Sequence, residues 1–379
     1  TFRIEGRALF DGASAIVPSG HKVGVVGRNG TGKTTLFRLI RQELTLDAGD
    51  IAVPKGARIG GVSQEVPSGP ETLLDTVLKA DTERASLLAE AETATDPTRI
   101  ADIQTRLADI DAYSAEARAS SILRGLGFDE AAQARACAEY SGGWRMRVAL
   151  AGALFAAPDV LLLDEPTNYL DLEGSIWLET YLAKYPHTVL VISHDRGLLN
   201  RAVGAILHLD RQKLTFYQGA YDSFVAQRRA QMEGLVAEQK KVEARKAHMQ
   251  AYVDRFRYKA SKARQAQSRL KAIEKRGSVS LIGDSTVGGC SVPSPAELSP
   301  PIIRLDDIAV GYDGKAIVSR LNLRIDPDDR IALLGANGQG KSTLSKLLAG
   351  RLTRMDGSLH HSSKLKIGYF AQHQVDELI

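Results

Sequence analysis

The sequence predicts an α/β fold used twice, and three observations predict it. A glycine-rich stretch, Gly27-Arg28-Asn29-Gly30-Thr31-Gly32-Lys33-Thr34, recurs 308 residues later as Gly335-Ala336-Asn337-Gly338-Gln339-Gly340-Lys341-Ser342. Each copy follows an apolar strand-like run (23–26 and 331–334) and opens a helical run (35–40 and 343–348). The same 308-residue shift keeps register elsewhere without a gap, so that Gly6 meets Gly314, Leu36 meets Leu344, Gly49 meets Gly357 and Gln64 meets Gln372. A repeat of this size is a duplicated globular domain, not a solenoid of short units.

Both stretches fit the P-loop template G-x-x-x-x-G-K-[ST]. Its glycines let consecutive backbone N–H groups converge on a β-phosphate, and the following helix N-terminus adds positive potential. Lys33 and Lys341 supply a point charge, and the hydroxyls of Thr34 and Ser342 are placed to ligate the Mg²⁺ of a bound nucleotide. Thr35 and Thr343 complete the two cradles. A strand, a phosphate loop and a helix in that order are the context this motif requires.

Composition narrows the class. With 379 residues, 44% of them hydrophobic and 25% charged, the chain has the balance of a folded protein with room for two or three cores. No apolar run reaches the roughly 18 residues needed to span a bilayer, and the first residues lack a secretory pattern, so the expected compartment is the cytoplasm. Cys137 and Cys290 lack metal-ligand spacing and read as free thiols. Charge is unevenly spread. Between Arg228 and Arg276 there are fifteen Lys/Arg against five Asp/Glu, which leaves the rest of a +4 chain net acidic. A basic segment between two mildly acidic domains points to a polyanionic partner.

In chain order, the first 26 residues alternate short β-like runs with turns, Pro18-Ser19-Gly20 marking the turn before the first phosphate-loop strand. Tyr312 stands where an aromatic ring can stack on a base, whereas its counterpart in the first copy is Ile4. Residues 72–139 are rich in Ala, Leu, Glu and Arg, broken at Asp96-Pro97, and read as helices capping the core; the helical subdomain spans about 72–155. Tyr140-Ser141-Gly142-Gly143-Trp144-Arg145 then opens a helix, again an anion-binding arrangement. An apolar strand over 160–163 ends in Asp164 and Glu165. A strand-terminal Asp suits a Mg²⁺ shell, and the adjacent Glu can orient or deprotonate an attacking water. Pro166-Thr167-Asn168-Tyr169-Leu170-Asp171 follows as a tight loop, and a further strand over 189–192 delivers Ser193-His194-Asp195, making His194 a candidate γ-phosphate sensor.

These motifs in this order, with Gln64 and Gln372 after each first strand set, resemble the ATP-binding cassette ATPases. Within them, Ser-Gly-Gly-Trp-Arg-Met-Arg, Asp-Glu-Pro-Thr-Asn-Tyr-Leu-Asp-Leu and two cassettes in one chain resemble the ABC-F group of ribosome-associated translation factors, and the linker text most resembles its bacterial members. Tyr140 and Tyr169 depart from the group's usual Leu or Phe and His. The resemblance implies tandem P-loop NTPase cassettes joined by a helical hairpin: a first cassette over 1–224, a basic linker over 225–300, and the N-terminal part of a second cassette over 301–379. It implies ATP and Mg²⁺ as cofactors, with Gln64, Gln372 and Asp164 joining Thr34 and Ser342 in the metal shell. It further implies a ribosome and P-site tRNA as partners, reached through Arg255, Arg257, Tyr258, Lys259, Lys262, Arg264, Gln265 and Gln267, whose Arg and aromatic character suits RNA backbone and stacked bases.

In such proteins each nucleotide lies between the P-loop of one cassette and the Ser-Gly-Gly segment of the other, the cassettes pairing within the full-length chain. Here the Lys341 loop has Ser141, Gly142 and Gly143 to face, while a second Asp-Glu strand would place its Glu near position 473. The expectation is a chain truncated within its second cassette, able to bind ATP but without a complete hydrolytic sandwich. Two rival readings use the same residues: the ATPase subunit of a membrane transporter, and a DNA-binding ATPase of the same superfamily.

Overall fold

The computed structural model describes residues 1–62, 67–256 and 298–370. The first copy is built on a six-stranded sheet. Its strands are β3 (Lys22–Gly27), β4 (Ile59–Gly61), β5 (Val160–Asp164), β6 (Thr188–Ile192), β7 (Ala205–Asp210) and β8 (Lys213–Gln218), in the spatial order β4-β5-β6-β3-β7-β8. All neighbours are parallel except the β7–β8 pair. A small hairpin, β1 (Phe2–Ile4) and β2 (Arg7–Phe10), stands beside it.

The apolar runs are continuous rather than alternating because this sheet is covered on both faces. Side chains of a strand point alternately to opposite faces. Thus Leu161, Leu163, Val189, Val191 and Ile206 enter one core, while Leu162, Leu190, Ile192, Val23, Val25 and Leu207 enter the other. The first core is roofed by helices α2 (Leu73–Lys79), α5 (Ala115–Gly125), α7 (Gly142–Phe155) and α8 (Leu172–Ala183). The second is closed by Leu36, Phe37 and Leu39 of α1 (Lys33–Ile40).

The Ala/Leu/Glu/Arg-rich stretch is helical, with α3 (Thr82–Thr93), α4 (Pro97–Asp109) and the short α6 (Glu130–Gln133) completing it. The Asp96-Pro97 break is a helix start. Asp96 accepts the Thr98 N–H at 3.0 Å, and Pro97 occupies the first turn, where its missing N–H costs no intrahelical bond. The last helix of the first copy, α9 (Arg196–Arg201), precedes β7. Helix α10 (Tyr221–Phe256) leaves the sheet and runs 36 residues, about 54 Å at 1.5 Å per residue. Its first turn begins four residues before 225. The second half of the anticipated hairpin lies outside the described residues.

The second copy contributes β9 (Ile303–Tyr312), β10 (Lys315–Ile325) and β11 (Asp356–His361), in the order β10-β9-β11, with α11 (Lys341–Leu348) packed against them. The 308-residue shift holds in backbone detail. Glu5-Gly6 and Asp313-Gly314 turn their hairpins with φ of 48° and 80° against 50° and 74°, and Gly49 and Gly357 share φ of 88° and 82°. The strand anticipated over 331–334 is the exception. Those residues carry no strand pairing, and Ile331, Leu333 and Leu334 are 50%, 40% and 82% exposed. In the first copy the equivalent strand β3 is held between β6 and β7, and among the described residues no strand stands beside 331–334.

The two-faced burial of the sheet makes a stability prediction. Leu163→Ala, at a side chain with 0% exposure, is expected to cost about 2–5 kcal/mol in chemical denaturation. Leu172→Ala, at a side chain 64% exposed, should stay within about 0.5 kcal/mol of the parent.

Candidate nucleotide site

Parallel pairing decides where the chemistry sits. Asp164 pairs with Ile192 across β5–β6, and Val25 pairs with Ile192 across β3–β6, so the carboxyl ends of three neighbouring strands share one edge. The loops leaving those ends carry the first P-loop, the Asp164-Glu165 pair and Ser193-His194. Ligands of open α/β sheets bind at such an edge.

The P-loop turns on its glycines. Gly30 has φ 75° and Gly32, capping α1, has φ 102°, left-handed values at which a Cβ is strained. Gly27 is needed for closeness, because a Cβ there would meet Leu209 O at 2.6 Å. The Lys33 ammonium folds back over the loop, donating to Gly27 O at 2.9 Å and Arg28 O at 3.2 Å. The second loop repeats this. Gly338 and Gly340 have φ of 87° and 83°, and Lys341 Nζ donates to Gly335 O at 2.5 Å and Ala336 O at 2.8 Å. Arg28, Asn29, Thr34, Gln339 and Ser342 are exposed, whereas Thr35 is half-buried and Thr343 buried on the first helical turns. The Ser342 hydroxyl thus remains accessible at the mouth of its loop.

Thr34 Oγ1 donates to Asp164 Oδ2 at 2.7 Å, joining a hydroxyl from the P-loop helix to a strand-terminal carboxylate 130 residues away. Two hard oxygen donors so close together fit a magnesium shell. Gln64 and Gln372, also expected in that shell, lie outside the described residues.

Glu165 is set apart from Asp164 by environment. Its backbone has φ 47°, a left-handed value that costs a non-glycine residue on the order of 1–3 kcal/mol, and its N–H continues the ladder to Ile192 O at 2.8 Å. One carboxylate oxygen accepts the His194 N–H at 3.3 Å. The other, Oε1, is buried without a hydrogen-bond partner and lies 3.6 Å from His194 Nε2. Burial pushes the Glu165 carboxyl above the ordinary range; the His194 N–H and ring oppose that, Asp164 adds to it and Lys33 opposes it. An unpartnered acceptor with raised basicity, beside a P-loop lysine, is equipped to take a proton.

The Ser141-Gly142-Gly143 segment is the N-terminus of α7. Ser141 caps that helix without a side-chain bond, and it and Gly142 are exposed, which leaves the first-turn N–H groups available to an anion. Tyr140 is accommodated by aromatic packing, edge-on to Phe128 at 5.7 Å with its hydroxyl donating to Ala132 O at 2.9 Å. Tyr169 places a ring carbon near Gly143 and hands its carbonyl to Arg147 Nε at 2.7 Å. From the second P-loop, Asn337 reaches the same turn: its N–H lies 3.4 Å from Asp171 Oδ2 and its Nδ2 lies 3.5 Å from Tyr169 O.

The site residues therefore form two groups. Lys33, Thr34, Asp164, Glu165 and His194 gather at the sheet edge, and the second P-loop meets the turn that follows Glu165. Tyr312 and Ile4 are equivalently placed, 41% and 42% exposed at hairpin ends, so only the second copy offers an aromatic ring there. Arg255 lies in α10, while Arg257, Tyr258, Lys259, Lys262, Arg264, Gln265 and Gln267 lie outside the described residues. Two participants escaped the sequence reading. Asp171 was legible as part of a motif but not as a contact of Asn337, and Arg147 was signalled only by a charge placed on the apolar stripe of α7.

No helix of the described residues is long and apolar enough to cross a membrane. A family model described as "ABC transporter" matches residues 10–168 and 318–378, and a second of the same description matches 207–286. The probable ATP-binding protein YheS of Escherichia coli K12 is 42% identical over 378 residues, covering 98% of this chain and 59% of that protein. The ABC transporter F family member 3 of Arabidopsis thaliana is 42% identical over 402 residues, covering 99% and 56%. The ATP-binding cassette sub-family F member 3 of Rattus norvegicus is 41% identical over 388 residues, covering 98% and 54%. The chain thus spans between half and two thirds of the length of these relatives. Among solved structures, a dimeric ATP-binding cassette bound to ADP and Pi aligns with a TM-score of 0.42 at 21% identity, covering 55% of this chain and 90% of that one. With its phosphate loops and strand-terminal carboxylates in agreement with the family model matched over residues 10–168 and 318–378, the chain belongs to the ATP-binding cassette family, and the Arabidopsis and rat relatives it resembles are F-family members of it.

Proposed function

We propose that this chain is the nucleotide-driven part of a translation factor: ATP closes its cassettes, closure sets the posture of the linker on the ribosome near the peptidyl-tRNA, and hydrolysis releases it. In this reading Thr34, Asp164 and Gln64 hold Mg²⁺ in the first site, with Ser342 and Gln372 in the second, where the ion would neutralise phosphate charge. Lys33 and the P-loop amides bind the β- and γ-phosphates. Glu165 takes the proton of the attacking water, and His194, tethered to Glu165 through its own N–H, reports whether the γ-phosphate is present.

One observation carries the link between nucleotide and linker. Helix α10 is rooted on the element that follows His194. Asp222 N–H donates to Asn200 Oδ1 of α9 at 2.9 Å, and the Arg196 guanidinium lies 5.7 Å from the Tyr221 ring centre. Phe224 packs on His208 and Tyr217 at 5.1 and 5.0 Å, and Arg228 pairs with Asp210 at 3.8 Å. Burial and then the Arg228 charge lower the His208 pKa, favouring a neutral ring that packs as an aromatic. A rigid helix anchored two residues beyond a phosphate sensor converts a small loop movement into a large displacement at its far end. The basic surplus that begins at Arg228 on that helix supports a nucleic-acid partner.

In the full-length protein, Glu165→Gln is expected to lower ATP hydrolysis by about 100-fold or more and to hold the protein on ribosomes in ATP. Ribosome sedimentation checks this, and unchanged release kinetics count against it. The raised Glu165 pKa fixes a sign for pH dependence. The base must be ionised, so hydrolysis should fall on acidification at a higher pH than the ordinary glutamate value of about 4.3 would give, and Glu165→Gln should abolish that limb. Replacing Arg255, Arg257, Lys259, Lys262 and Arg264 with Glu should abolish ribosome binding while leaving ATP binding intact. Retained sedimentation, or loss of binding to membranes or branched DNA instead, would favour the rival readings.

A further inference from the structure

Helix α7 carries a charge where its pattern calls for an apolar side chain. Arg147 shares a stripe with Leu150, Ala151 and Leu154 and is only 1% exposed. A buried guanidinium is tolerated only when its donors are paired. Nε donates to Tyr169 O at 2.7 Å, Nη1 to Leu126 O at 2.9 Å and Nη2 to Asp171 Oδ2 at 3.4 Å, with the Trp144 ring centre 4.2 Å from the guanidinium carbon. One side chain therefore fastens the helix that begins at Ser141-Gly142-Gly143 to the end of α5 and to the turn before α8.

The acceptors that Arg147 holds from inside are those that Asn337 meets from outside: Tyr169 O and Asp171 Oδ2. Burial pushes the Asp171 carboxyl upward, yet the Gly174 N–H, the Arg147 charge and the Asn337 N–H together hold it below the usual range. A carboxylate kept ionised between two donors is a fixed strut between copies.

We propose that Arg147 is a positioning residue for nucleotide at the second P-loop. By fixing Tyr169 O and Asp171 Oδ2 it places Asn337, and with it the loop that ends in Lys341 and Ser342, relative to the helix N-terminus at Ser141. The lysine and hydroxyl contacts of the first P-loop run instead to Gly27, Arg28 and Asp164. The proposal rests on the reading of both loops as ATP sites.

The test titrates the full-length protein with a fluorescent ATP analogue in two backgrounds. Lys33→Ala isolates the second site and Lys341→Ala isolates the first. Arg147→Met is expected to weaken analogue binding about tenfold in the Lys33→Ala background and less than about twofold in the Lys341→Ala background. Arg147→Lys, with one ammonium in place of a fork, should fall between. Asn337→Ala should produce the same selective loss, and its effect should not add to that of Arg147→Met. Equal weakening at both sites would mark Arg147 as a general stabiliser and overturn the proposal, as would no weakening at the second site or fully additive losses. If Arg147→Met does not fold, Asp171→Asn combined with Asn337→Ala decides by the same criteria. Failure of both parent backgrounds to bind the analogue would instead overturn the reading of the loops as ATP sites, and the positioning role with it.

Discussion

The structure depends on parallel register. Because β5, β6 and β3 run the same way and are hydrogen-bonded side by side, residues far apart in the chain emerge together at one edge. That edge can be polar only because both faces of the sheet are sealed by apolar side chains, which concentrates the ionisable groups at the strand ends. The Thr34–Asp164 bond and the Glu165–His194 contact follow from that register and from no local preference.

Local strain is stored at the same edge. Glu165 adopts a left-handed backbone that a glutamate does not choose, and the ladder bond to Ile192 together with the His194 amide holds it there. Asp164, one residue earlier, is exposed and bonded to a hydroxyl. Adjacent carboxylates thus sit in different surroundings: Asp164 beside a hydroxyl in a set suited to a cation, and Glu165 pushed by burial above the ordinary carboxylate range.

Two mechanical connections leave the site. Arg147 ties the anion-binding helix end to a turn that meets the opposite P-loop, and the aromatic cluster around Phe224 ties the strand beside β3 to the root of α10. Both use buried groups, a paired guanidinium and interlocked rings.

By itself the sequence determined the duplication, both phosphate loops, the strand-terminal Asp164-Glu165 pair and the helical character of about 72–155, because each depends on patterns along the chain: glycine spacing, apolar runs and capping residues. The 308-residue shift paired Gly6 with Gly314, and the structure gives both a left-handed backbone. The sequence reading misjudged 331–334, since an apolar run becomes a strand only when neighbours accept its hydrogen bonds, and none of the described residues does so. Tertiary structure alone decided that Arg147 is buried, that Asp171 and Tyr169 meet Asn337, and that the linker helix starts on the sheet at Tyr221. A charge on an apolar stripe and a carboxylate in a tight loop acquire meaning only from partners brought close in space, and that proximity comes from the sheet's register rather than from spacing along the chain.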